Sequence, residues 1–151
     1  MIPAIEVARY FLSLTDEEAG ELVSNLKLQK LLYYVQGFHL AIYDEPLFPE
    51  PLQAWAHGPV VEDVYHNYKG YGSSPIPPEE VDFDQFDDEV KEFLKGIYSE
   101  FGQYSAWKLR EMTHVEPPWK DAYKEDLPGI EITHKSLVDY FSEFVEETDD
   151  E

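Results

Sequence analysis

The stretch from Ser24 to Pro46 constrains this chain more than any other. Leu28, Leu31, Leu32, Val35, Phe38, His39 and Ile42 recur at three- and four-residue steps. Ser24 or Asn25 can cap the start, and Asp44-Glu45-Pro46 ends the run, so the spacing predicts one long helix. Tyr33, Tyr34, Phe38 and Tyr43 share that helix with Lys27 and Lys30, and these rings cannot all lie on one side. Two arrangements fit: a helix apolar nearly all round that crosses a core, or a partly exposed aromatic patch rimmed by charge and suited to a protein partner. Gly37 in the middle costs roughly 1 kcal/mol relative to alanine, which points to a backbone or bulky ring packed closely there.

Around this axis the remaining segments are short. Ala4 to Leu14 puts Ile5, Ala8, Phe11 and Leu12 on one helical face, and Asp16 to Glu21 is a polar connector. Leu52 to His57 alternates as a short strand, Gly58 stops it, and Pro59 suits the first position of a helix carrying Val60, Val61, Val64, Tyr65 and Tyr68. Gly70 to Pro78 is a loop. A helix from about Phe86 to Phe101 sets Val90, Phe93, Leu94, Ile97 and Tyr98 inward, and Ser105 caps the next one through Thr113. Pro117-Pro118 opens a short helical turn, Ile130 to Ile132 reads as a second strand, and Thr133 caps a last helix bearing Leu137, Val138, Tyr140, Phe141 and Val145. The expected fold is mainly α: a compact single-domain helical bundle over residues 1–145 with a minimal two-stranded β element, followed by an acidic C-terminal tail, 146–151.

Composition narrows the function. The 151 residues carry 32 acidic and 11 basic side chains, a formal charge of −21, yet 43% are hydrophobic and 15% aromatic, too much apolar bulk for a disordered acidic segment. The acidity is uneven: Glu79 to Glu92 holds eight carboxylates against Lys91 alone, and Asp139 to Glu151 holds seven and no base. Such a surface repels a phosphate backbone, so no direct nucleic-acid binding is expected. Its natural complement is a basic partner, although solubility alone also accounts for the excess. No cysteine is present, which removes disulfides, thiolate nucleophiles and cysteine-ligated metals. No signal peptide and no membrane span are read from the chain, and a cytoplasmic protein is expected.

Catalytic patterns are sparse. His57 with Glu62 and His66 has the right residue types for a metal-dependent hydrolase, but the spacing matches no established metal signature. The plainer alternative has His57 hydrogen-bonded within the Trp55-to-Pro59 turn and Glu62, Asp63 and His66 on a solvated helix. There is no nucleophile elbow, phosphate loop or dinucleotide fingerprint. The chain is read as a non-enzyme with no cofactor, the hydrolase being the alternative.

Several segments in order resemble one known family: Lys27 to Ala41, Ala54 to Val61, Tyr65, Lys69 to Gly72, Tyr104 to Trp107, Leu109, Thr113 to Trp119 and Ala122. They resemble the phage-associated GepA-like proteins, whose domain is also named Panacea and includes SocA-like antitoxins. The resemblance implies an antitoxin-type domain that acts through protein contacts, either neutralising a cognate toxin by direct binding or delivering it to a ClpXP-type protease. It adds no catalytic residue. The matched positions it offers as partner surface or scaffold are Lys30, Tyr34, Gln36, Trp55, His57, Gly58, Pro59, Tyr65, Gly70, His114 and Trp119. On this reading Trp119 closes a groove facing the His57 turn, and a toxin with a basic surface is drawn in by charge and held by rings.

Overall fold

The computed structural model describes residues 1–16, 18–79, 82–84 and 86–149, the side chains of 146–149 excepted. The acidic tail expected over 146–151 lies outside the described side chains. The helices are α1 (Ala4–Ser13), α2 (Asn25–Tyr43), α3 (Glu62–Tyr68), α4 (Asp88–Phe101), α5 (Ala106–His114), α6 (Pro117–Ala122) and α7 (His134–Asp149). Three short strands, β1 (Leu52–Trp55), β2 (Gly58–Val60) and β3 (Ile130–Ile132), form one antiparallel sheet in the order β2-β1-β3.

Helix α2 is the axis, and of the two arrangements open to it the buried one holds for most of its length. Leu28, Leu31, Leu32, Tyr33 and Val35 are wholly inaccessible, and α1, α3, α4, α5, α7 and β2 all pack against it. A helix surrounded in this way must also bury its polar residues, and each finds work as an anchor. Gln36 accepts the Leu47 amide through Oε1 at 2.8 Å and donates to the Phe48 carbonyl at 2.9 Å, tying the Pro-rich connector to the core. Gln29 accepts the Val61 amide at 2.9 Å and donates to Asn25, whose own amide donates to the Tyr65 carbonyl. These bonds fix where α3 begins relative to α2. At Gly37 the ring of Phe141 lies where a Cβ would stand, so the missing side chain is what lets α7 settle onto α2.

The helix starts follow the capping residues. Ser24, Ser105 and Thr133 each accept an amide hydrogen bond from the third residue on, and Asp87 does the same for Val90, placing the start of α4 two residues later than Phe86. Lys27 reaches across to donate to the Gly102 carbonyl at 2.6 Å, satisfying the far end of α4.

The sheet has one strand more than expected. β1 pairs with β3 as anticipated, but Pro59 lies opposite Ala54 in β2, and α3 starts at Glu62. Proline lacks an amide donor, which suits a sheet edge as well as a helix start. The left-handed backbone of Gly58 (φ 115°) closes the two-residue turn Ala56-His57 and folds the chain back on β1. The fold class stands: mainly α with a small antiparallel sheet.

Candidate functional site

Two concave regions flank α2. The first is a groove of about 500 Å³ between α2, α4 and α7. The consecutive Tyr33 and Tyr34 each donate a hydroxyl to one oxygen of Glu116, both at 2.9 Å. Tyr34 stacks on Phe101 with centroids 4.1 Å apart and planes 7° from parallel, and Phe141 meets both tyrosines edge-on. Burial raises the Glu116 carboxyl to about 7 in spite of hydrogen bonds from Tyr34, Tyr33 and Tyr140 that favour the anion. Above this floor the walls are Phe38, Phe93, Ile97 and Phe141, and the mouth leaves Ile42 47% and Phe144 50% exposed. Phe93 packs on Tyr43 and His39, and Asp87 and Glu89 at the start of α4 lie with them beside the C-terminal end of α2; Phe144 of α7 lies beside Phe38. Glu100 of α4 stands in the wall of the groove itself.

The second region lies beside the β1–β2 hairpin, a cavity of about 390 Å³ with rings of Trp55, Tyr65 and Trp107 in its walls. Lys30, wholly inaccessible, extends beneath Gly58 and donates to the Pro59 carbonyl at 3.4 Å. Burial lowers its ammonium to about 7, and the nearby Arg110 adds to the effect. Arg110 lies over the Trp107 ring at 4.5 Å and donates Nε–H to Nδ1 of His57 at 3.2 Å. His57, Lys69, Asn25, Gln29 and Ser73 add to the polar lining, and no carboxylate is among the described residues that form it. Behind β1, His114, Trp119 and Tyr123 stack face to face at 4.0 and 4.7 Å, and Trp119 donates its indole N–H to the Trp55 carbonyl at 2.8 Å. Burial, together with Arg110, Lys30 and His57, holds the His114 imidazole below its ordinary pKa. Its buried Nε2 has no partner among the described residues.

The sequence-derived positions thus divide. Lys30, Trp55, His57 and Tyr65 line the hairpin pocket, with Gly58 and Pro59 at its back. Tyr34 belongs to the groove, while Gln36 holds the connector and lines neither region. Gly70 is exposed in a single 3-10 turn, Lys69–Tyr71, next to the pocket. Trp119 is a buried strut and closes no groove, because its indole N–H is turned in to the sheet. The metal trio is not assembled. His57 is engaged by Arg110, Glu62 and His66 pair with each other at 3.9 Å on an exposed face of α3, and no three described His, Cys, Asp or Glu residues are placed to hold an ion. Strand β2, where a helix was expected, carries the chain away between His57 and Glu62. Tyr33 entered the sequence reading only as part of an aromatic patch on α2, and Glu116, Tyr140, Arg110 and Trp107 were not singled out as site residues. Glu116, a lone acid inside the Thr113-to-Trp119 motif, and Trp107, at the end of the Tyr104-to-Trp107 motif, offered a signal.

The family described as "Antitoxin SocA-like, Panacea domain" matches residues 28–120. Antitoxin SocA of Caulobacter vibrioides (strain NA1000 / CB15N) is 29% identical over 109 residues, covering 64% of this chain and 58% of that protein. The match therefore spans less than two thirds of the relative's length. No solved structure matches. The matched span runs from α2 into α6 and contains the rings and cations of the hairpin pocket along with Tyr34 and Glu116: the chain belongs to the antitoxin SocA-like family and carries its Panacea domain.

Proposed function

We propose that this chain is an antitoxin that neutralises a partner toxin by direct binding, and that the groove between α2, α4 and α7 is the principal seat. The observation that carries this reading is the groove itself: half-exposed Ile42 and Phe144 at the mouth of a ring-lined cleft, with Glu100 in its wall and Asp87 and Glu89 beside Tyr43 at the same end of α2. Apolar groups left in water at a concave site favour association by about 25 cal/mol per Å² once covered. The carboxylates around them favour a toxin segment that is apolar on one side and basic at its edges, charge setting mainly the rate and the choice of partner. The toxin is sought in the product of a neighbouring gene.

Co-expression tests the reading. The adjacent small protein is expected to arrest growth alone, to be relieved by this chain and to co-purify with it. Phe144→Ala is expected to weaken the complex at least tenfold. Failure of any neighbouring product to bind or be relieved would overturn the proposal. The toxin's half-life, followed in the same cells, decides between simple sequestration and delivery to an ATP-dependent protease: shortening that depends on both this chain and the protease assigns the second mode.

A further inference from the structure

We propose that the hairpin pocket is a receptor for one carboxylate side chain of the partner polypeptide, an aspartate or glutamate with an apolar neighbour, held by Lys30 between the Trp55 and Trp107 rings. The identity of the partner rests on the antitoxin reading; the chemistry of the pocket does not.

Four observations converge on an anionic occupant. In a chain with 32 acidic and 11 basic residues, this cavity is lined by Lys30, Lys69 and His57 and, among the described residues, by no carboxylate. The Lys30 ammonium has three donors but makes one long hydrogen bond, at 3.4 Å to the Pro59 carbonyl, and no described carboxylate pairs with it. A buried cation left so nearly unpartnered is costly unless something completes it. Gly58 is what admits it: a Cβ there would stand 2.5 Å from the Lys30 Cε, and the residue's positive φ already disfavours a side chain. Finally, Trp107 is 58% exposed while carrying Arg110 on its face, a ring wall open to solvent beside a fixed guanidinium.

The occupant comes from another chain. Asp87 and Glu89 at the start of α4 lie beside the Tyr43 end of α2, Lys30 is about 18 Å back along that helix from Ile42, and no described carboxylate of this chain lines the pocket. The cavity volume, about 390 Å³, lies at the low end of the ~300–1,000 Å³ usual for small-ligand sites, room for a side chain and its neighbour. Ring walls favour the apolar neighbour, and the buried ammonium favours a small, hard anion.

The test uses the intact chain and an acetylated, amidated pentapeptide with one glutamate between two phenylalanines, titrated by calorimetry against its glutamine counterpart. The glutamate peptide is expected to bind at least tenfold more tightly. Lys30→Met should abolish the preference, and the surface change Trp107→Ala, which removes no buried group, should weaken the glutamate peptide at least fivefold. Leu127→Ala, at an exposed residue that lines neither cavity, should change nothing. At pH 8 the glutamate peptide should draw a proton onto Lys30, the other groups around it being Arg110, Thr113 and His114 of α5 and His57 of the turn. That uptake, read from the dependence of the heat on the buffer, is absent if the lysine merely supports the fold. Indistinguishable titrations of the two peptides, absent binding included, overturn the proposal, as does tighter binding of inorganic phosphate or AMP than of the glutamate peptide. Glutamate-selective binding without toxin relief removes the antitoxin reading and keeps the pocket; relief without glutamate selectivity does the reverse.

Discussion

The groove and the hairpin pocket lie on the same helix and bury one charge each, but of opposite sign and in opposite company. Glu116 meets three tyrosine hydroxyls, and among the described residues no cation is paired with it. Lys30 has one hydrogen-bond partner among the described residues, a carbonyl, and is itself inaccessible at the back of the hairpin cavity. The two are not paired with each other, so burial drives both toward their neutral forms near pH 7. The groove also needs Tyr140, Phe141 and Phe144 of α7, beyond the family-matched span that ends at 120, whereas the cations and rings of the pocket fall inside it.

The sharpest way to break the comparison is to fill each glycine. Gly58→Ala combines a positive φ with overlap on Lys30 and Thr113 and should cost about 3 kcal/mol or more, measured by urea denaturation, with peptide binding at the pocket lost. Gly37→Ala should cost about as much by forcing Phe141 off α2, but it should spoil the groove and leave the pocket's ligand intact. Equal damage to both regions from either change would mean that they are not separable.

Titration gives the next largest effect. Glu116 has a folded pKa of about 7 against about 4.3 unfolded, so the unfolded chain ionises first and wild-type stability falls as pH rises through that interval. Relative to wild type, Glu116→Gln should therefore gain on the order of 3 kcal/mol between pH 4.5 and pH 8 in denaturation experiments. Lys30 has the opposite sign. Its folded pKa of about 7 lies below the unfolded ~10.4, so stability is lost as pH falls from about 10.4 toward 7, and Lys30→Met should remove that slope. A pH-independent difference between either variant and wild type would show that burial of that charge has been misjudged.

Smaller still is the effect of trimming the groove's mouth on the fold. Phe144→Ala should shift unfolding by no more than about 0.5 kcal/mol, because half of the ring is already in water, while its effect on partner affinity is much larger. Salt should act mildly on the dissociation rate and more strongly on the association rate of a basic toxin, which stopped-flow measurements at increasing ionic strength would resolve.

Much of the scaffold was legible because local rules and global packing agree. The recurrence from Leu28 to Ile42, the caps Ser24, Ser105 and Thr133 and the close ring implied by Gly37 all hold. Pro59 misled because one property, the absent amide hydrogen, fits an edge strand and a helix start equally, and only pairing with Ala54 distinguishes them. His57, Glu62 and His66 are near in sequence, yet the hairpin separates their roles. Glu116 escaped notice because its tyrosine donors come from 82 and 83 residues earlier in the chain, a distance over which no periodicity carries information.

The amino-acid order by itself determined a helical axis too apolar for the surface, the helix boundaries around it and a strongly acidic exterior, since these depend on spacing and composition. Tertiary structure alone decided that Glu116 meets three tyrosine hydroxyls while Lys30 is enclosed beneath the hairpin, and that the carboxylates at the start of α4 meet the Tyr43 end of α2 while the hairpin pocket forms nearer the other end. Burial and electrostatics are set by neighbours in space, and those neighbours are brought together only when α5, α7 and the hairpin close around the same helix.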